Sequence, residues 1–161
     1  MIDAWNAIWA GIAGGIAMWL LLTLARAVRL VDTSLIRYEG SLLTGRAEGA
    51  GPWLAGLVMH LVLSALIGLA YAVGFASFFG RAAWNLGIVL GVYHWGLASL
   101  VLPLMDSLNP CVKRGSLRGM GAYAWRGGMA MVAVFLIGHL LYGLVVGWLY
   151  TVPAGWIGLI T

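Results

Sequence analysis

The sequence is poor in cysteine and in charge. Its one cysteine, Cys111, excludes an intramolecular disulfide and a cysteine-rich zinc site. Charged residues make up 9% of the 161 residues, and 63% are hydrophobic. A soluble globular domain carries about 25% charged residues. The composition therefore indicates an integral membrane protein in contact with the lipid bilayer.

The basic residues lie in or beside the predicted connecting segments. Topology and lipid headgroups account for them there, so nucleic acid is not an expected partner. The first and third connections hold four basic residues each, and the second holds Arg81 alone. The positive-inside rule therefore predicts a cytoplasmic first and third connection, with both termini outside.

Long apolar runs predict an all-α fold, an integral membrane four-helix bundle in one domain, 1–161. Each run is long enough to cross a hydrocarbon core of about 30 Å. Pro103 and Asp106 are expected to end the third run, and Trp156 to anchor an apolar tail at the interface. The predicted spans are approximately 4–25, 52–79, 82–104 and 129–150.

A short interfacial segment, residues 30–46, is predicted between the first two spans. Charged residues alternate there with leucines and isoleucine. Asp32 or Thr33 can cap a short helix whose apolar side faces lipid and whose charges face water. The pattern fits a segment packed against the bundle equally well, so both interpretations stay open.

Small residues recur at four-residue steps along the spans. This spacing places them on one helix face and is typical of close contact between membrane helices. The glycines that we expect at helix contacts are Gly11, Gly15, Gly56, Gly68, Gly87, Gly91, Gly143 and Gly147.

Three histidines come from three different spans. Counted along alternating helices at about 1.5 Å per residue, His60, His94 and His139 fall at similar depth near the bilayer midplane. Tyr142 lies three residues after His139 and shares its side of the helix. These four residues form the candidate cofactor-binding site.

Two chemical interpretations of these histidines stay open. In the favoured one, each histidine forms a hydrogen bond with a carbonyl or with the hydroxyl of a residue on another helix, and no cofactor is bound. In the other, two histidines bind haem b axially, or the imidazoles bind copper or zinc. The hydroxyl partners considered are Thr23, Ser64, Tyr93 and Tyr142.

Enzymatic and transport functions have less support in the sequence. No HExxH helix, GxSxG elbow or P-loop occurs, so we expect no catalytic residue. Coupled carriers typically use carboxylates within the membrane, whereas every Asp and Glu here falls in a predicted tail or connection. The sequence therefore disfavours coupled transport.

Glycine and histidine spacing resembles that of a group of small, uncharacterised prokaryotic four-span membrane proteins. The pattern consists of Gly56-x-x-x-His60 in the second span and Gly138-His139-x-x-Tyr142-Gly143-x-x-x-Gly147 in the fourth. The resemblance extends from Gly11 to Tyr150, and His94 lies outside its pattern. It implies a four-span fold in a prokaryotic inner membrane, and it implies no activity.

We predict a non-catalytic subunit that packs in a larger membrane assembly, of respiratory or other redox type, or in a homo-oligomer. Nine tryptophans, seven methionines and the glycine stripes exceed what one small bundle is expected to bury, and Trp and Met favour interfaces. The alternatives are a haem- or metal-binding redox protein that uses the histidines, and a small transporter or channel.

Overall fold

The computed structural model describes residues 2–150, and the predicted tail with Trp156 lies outside them. Four helices within these residues are long and apolar enough to cross a membrane. They confirm the all-α four-helix bundle and make this a multi-pass membrane protein. The helices are α1 (Ala4–Ala27), α2 (Leu35–Thr44), α3 (Ala50–Gly74), α4 (Trp84–Leu108), α5 (Pro110–Lys113) and α6 (Met129–Leu149). A π-helical turn, Phe75–Phe79, extends α3, and a 3-10 segment, Ala122–Gly127, precedes α6.

The four spanning helices follow the spatial order α3, α1, α6, α4. Helix α1 packs between α3 and α6, and α4 packs on the other side of α6. The contact between α3 and α4 is slight. The pairs α3–α1, α1–α6 and α6–α4 therefore pack closely, whereas α3 and α4 do not. We call the first three the closed pairs.

Glycines allow the closed pairs to approach at backbone distance. A side chain at Gly11 would meet the backbone of Gly68, and one at Gly87 would meet that of Gly143. The structure also places Gly15, Gly56, Gly91 and Gly147 against residues of neighbouring helices. All eight glycines named from the sequence thus contact other parts of this same chain.

Helix α4 continues past the point where the sequence suggested its end. Pro103 lies inside the helix, and Asp106 is buried in its last turns. Proline removes one backbone donor, and helices within membrane bundles tolerate this because neighbouring groups satisfy the freed carbonyl. The expectation that Pro103 and Asp106 end the third span was therefore wrong.

Helix α2 packs on α3 instead of placing its apolar side in lipid. Ser34 caps it by accepting a hydrogen bond from the Arg37 amide, so neither Asp32 nor Thr33 is the cap. A side chain at Gly40 would meet the Pro52 carbonyl, and one at Gly56 would meet the Ile36 carbonyl. Of the two interpretations of residues 30–46, the packed one describes this helix.

Candidate functional site

A cavity of about 260 Å³ lies between α3 and α4, where these helices make little contact. We call it the inner cavity. Helices α1, α2 and α6 supply the rest of its wall, and most of the lining is apolar. The polar and aromatic residues that line it include Glu39, His60, His94, Phe135, His139 and Tyr142. The structure thus brings the four residues of the candidate site to one cavity and adds a carboxylate.

His60 is held by α1 and α2. Its Nε2 lies 3.1 Å from the Gly15 carbonyl oxygen, and its Nδ1 lies 3.4 Å from the Glu39 carboxylate. A Cβ at Gly15 would meet the Ser64 hydroxyl, so glycine is required for α1 to approach. Of the partners expected from the sequence, His60 uses a carbonyl, and Ser64 donates instead to the His60 carbonyl.

Glu39 is the residue of this site that sequence reasoning missed. The sequence pattern places Glu39 in a connection between spans. In the structure this residue is only 7% exposed, because α2 packs on α3 and carries Glu39 into the bundle. Both carboxylate oxygens lie 3.4 Å from His60 Nδ1, but Oε1 alone has hydrogen-bond geometry. Within residues 2–150, Oε2 has no hydrogen-bond partner.

The hydrogen-bond pattern determines how many protons the Glu39–His60 pair holds. The Gly15 carbonyl can only accept, so His60 Nε2 carries a proton and donates it. A hydrogen bond between Nδ1 and the carboxylate then requires one further proton, on either partner. The pair is neutral with this proton and carries one negative charge without it.

His139 and His94 lie on α6 and α4 with their rings in contact. His139 Nδ1 is 2.7 Å from the Phe135 carbonyl oxygen and therefore donates to it, which leaves Nε2 of the neutral imidazole as an acceptor. His94 Nδ1 lies 3.5 Å from the Tyr71 hydroxyl. Neither histidine pairs with Thr23, Ser64 or Tyr93.

The two rings leave no space for a porphyrin between them. Their centroids are 4.5 Å apart and their planes are inclined by 74°. In axial ligation, the iron and the macrocycle would lie between the two imidazoles. A bis-histidine haem at His94 and His139 therefore does not fit this geometry. For copper or zinc, no group of three metal-ligating side chains occurs within the part of the chain that the structure describes.

Tyr142 has a packing role at the cavity wall. Its hydroxyl donates to the Ser64 carbonyl at 2.6 Å and so joins α6 to α3. Its ring packs edge-on against His94, with centroids 5.3 Å apart. Its one donor is therefore already used, and Tyr142 presents an aromatic surface to the cavity.

A second buried carboxylate, Asp106, anchors α2 to α4. It accepts hydrogen bonds from the Tyr38 hydroxyl at 2.6 Å and from the amides of Met120 and Gly121 at 2.9 and 2.8 Å. The Nη1 atom of Arg126 lies 3.5 Å from Asp106 Oδ2. Burial, and then the hydrogen bond to Asp106, raise the pKa of Tyr38, which therefore stays a neutral donor. This cluster holds the helix that carries Glu39.

A more polar cavity of about 580 Å³ lies between α1, α2 and the start of α3. We call it the outer cavity. Its polar lining residues are Thr23, Arg26, Asp32, Thr33, Ser34 and Arg37. His60 and Leu35 line both cavities. The Glu39–His60 pair therefore stands where the polar end of the bundle meets the apolar inner cavity.

Comparison of the chain with protein-family models, with curated proteins and with solved structures finds no match. The resemblance to small prokaryotic four-span proteins stays a prediction. The geometry of the inner and outer cavities and the residues between them are therefore the features that bear on function.

Proposed function

We propose that this chain is a small membrane transporter that binds a lipophilic organic cation in the inner cavity. The observation that supports this most is Glu39 Oε2, a buried carboxylate oxygen without a hydrogen-bond partner within residues 2–150, in a mostly apolar cavity. Such a group is costly unless a ligand pairs with it. Its burial also removes the reason for disfavouring transport, since a carboxylate does reach the membrane histidines.

The polar groups of the inner cavity favour a ligand that donates hydrogen bonds. Glu39 Oε2 and His139 Nε2 are acceptors, whereas the hydroxyl of Tyr142 is already engaged with a carbonyl. An ammonium group matches this set in both charge and hydrogen bonding. The rings of Tyr142 and Phe135 add apolar surface, and aromatic faces also attract cations.

Volume and position limit the ligand further. A cavity of about 150 Å³ binds benzene, so 260 Å³ accommodates one aromatic ring with an aminomethyl group. Because α3 and α4 make little contact, we expect a membrane-dissolved molecule to enter the cavity between these two helices. We therefore expect a primary amine with one ring as the smallest good ligand.

Calorimetry on the purified protein in detergent tests this proposal with three molecules of similar shape. Benzylamine should bind, whereas toluene lacks the charge and the donors, and benzoate has the opposite charge. Glu39→Gln keeps the size and removes the charge, so we expect at least a tenfold loss of benzylamine affinity, about 1.4 kcal/mol. Glu48→Gln, at an exposed glutamate of the same connection, should bind like the unmodified protein.

Two results would overturn the proposal. One is equal binding of benzylamine and toluene, which would show an apolar cavity with no use for the carboxylate. The other is an equal affinity of Glu39→Gln and Glu48→Gln for benzylamine. Competition by a larger two-ring amine would extend the ligand class, because it would show that the gap between α3 and α4 widens.

We also propose a prokaryotic inner membrane location with both termini outside. The support is the distribution of basic residues, with four each in the first and third connections and one in the second. Labelling of Arg37→Cys and Lys113→Cys in intact cells tests the orientation. Labelling of Lys113→Cys by a membrane-impermeant reagent from outside would contradict it.

The earlier prediction of a non-catalytic subunit in a larger assembly stays a prediction with reduced support. The eight glycines on which it partly depended contact residues of this same chain. Exposed tryptophans such as Trp5, Trp9 and Trp148 suit a lipid interface as well as a partner. A species well above 17.1 kDa plus its micelle after detergent extraction would restore the subunit interpretation.

A further inference from the structure

We infer that the bound cation displaces one proton from the Glu39–His60 pair, and that this proton enters and leaves through the outer cavity. The inference rests on the proposed function and specifies its coupling. It makes the protein an exchanger of one proton for one organic cation. The proton count of the pair and the position of His60 between two cavities support this exchange.

Charge balance at the pair favours exchange over simple binding. The empty pair holds one shared proton and is neutral, because His60 Nε2 already donates its own proton to the Gly15 carbonyl. When an ammonium ion binds at Glu39 Oε2, the shared proton would leave one positive charge uncompensated in an apolar cavity. Loss of that proton leaves a carboxylate of charge −1 beside a ligand of charge +1. The site is neutral before and after, and one proton is released.

The route follows from the residues that the two cavities share. His60 and Leu35 line both, so the imidazole has one side toward the inner cavity and one toward the outer. The outer cavity carries hydroxyl and charged side chains that can support water, whereas the inner lining is mostly apolar. A proton therefore has a polar route through the outer cavity, whereas the lipophilic ammonium ion is expected to enter between α3 and α4, where the helices make little contact.

Charged and titratable groups line both cavities beside the pair. On the outer side these are two guanidinium groups and one carboxylate. On the inner side, neutral imidazoles and a phenol contribute no net charge. The outer groups are Arg26 on α1, Asp32 in the connection and Arg37 on α2; the inner groups are His94 on α4 with His139 and Tyr142 on α6.

Proton release can be measured directly on purified protein in weakly buffered detergent solution with a pH indicator. We expect about one proton released for each benzylamine bound, with the amine itself protonated throughout from about pH 6 to about pH 8. Because each binding event releases one proton, benzylamine affinity should rise about tenfold per pH unit wherever the empty pair holds its proton. Toluene should release no proton.

The route is tested kinetically by narrowing the outer cavity. Thr33→Trp adds bulk at a residue that lines the outer cavity but not the inner one, so proton release after rapid mixing should slow several-fold with equilibrium affinity unchanged. Leu43→Trp, at an exposed position of α2 that lines neither cavity, is the matched control.

Each outcome decides a separate point. Benzylamine binding without proton release, or with an affinity independent of pH, overturns the exchange and leaves the proposed ligand class standing. Equal rates for Thr33→Trp and Leu43→Trp overturn the route through the outer cavity. Absence of benzylamine binding at every pH overturns the proposed function and this inference together.

Discussion

Asp106 and Glu39 are both buried carboxylates, 8% and 7% exposed, but their surroundings differ in one respect. Asp106 accepts from a tyrosine hydroxyl and two backbone amides and has a guanidinium nearby. Glu39 has one loose partner, His60, and an oxygen with no partner within residues 2–150. A carboxylate whose oxygens both accept hydrogen bonds stabilises the fold, whereas one with an oxygen that lacks a hydrogen bond is available to a ligand or a proton.

Position in the fold agrees with this division. Asp106 joins α4, α2 and the segment before α6. It lines neither the inner nor the outer cavity but a separate one of about 660 Å³ beside the 3-10 segment, where both of its oxygens already accept hydrogen bonds. Glu39 lines the inner cavity beside a histidine that lines both. Ser99 Oγ and Trp95 Nε1 also lack partners in the described part of the chain, but they lie outside the inner cavity's lining. Among these three residues, Glu39 is the one that lines the inner cavity.

The largest expected effect is that of Asp106→Ala. It leaves the Tyr38 hydroxyl, the buried Met120 amide and the partly buried Gly121 amide without their acceptor, so we expect a loss of about 3–5 kcal/mol of unfolding free energy. Reversible unfolding in mixed SDS micelles measures it. Asp32→Ala, at an exposed aspartate, should change stability by less than about 0.5 kcal/mol. Similar losses of unfolding free energy in both variants would show that Asp106 has no structural role.

Gly56→Ala is expected to have an intermediate effect on stability and to impair the site as well. The added Cβ meets the Ile36 carbonyl, so α2 must shift and carry Glu39 with it. We expect a loss of about 1–3 kcal/mol of unfolding free energy, with benzylamine affinity falling more than tenfold. Gly51→Ala, on the same helix with open space around it, should be neutral or slightly stabilising. Unchanged binding in Gly56→Ala would show that docking of α2 does not position Glu39.

Glu39→Gln should have the smallest effect on stability, and its sign can differ from that of the other two substitutions. Removing an incompletely paired buried carboxylate relieves desolvation, so we expect unfolding free energy to change by less than about 1 kcal/mol or to rise. Unfolding in the same micelles as for Asp106→Ala gives the comparison. A loss as large as that of Asp106→Ala would make Glu39 a structural residue and end the contrast between the two carboxylates.

Several features of this protein follow from its sequence alone. Charge-free apolar runs of spanning length require helices in a membrane, because backbone groups there have no water to bond. Glycine spacing at four residues identifies helix faces, and one histidine in each of three spans places imidazoles at similar depth. His94 and His139 do meet, with ring centroids 4.5 Å apart, and His60 lines the same cavity.

Tertiary structure alone decided where Glu39 lies. The sequence pattern of residues 30–46 fits a lipid-facing helix and a packed helix equally well, because both need the same mixture of charge and leucine. Contact of Gly40 with Pro52, and of Gly56 with Ile36, selects the packed arrangement and turns Glu39 toward His60. The loose contact between α3 and α4 is likewise a property of the whole bundle, because it depends on how α1 and α6 separate these two helices.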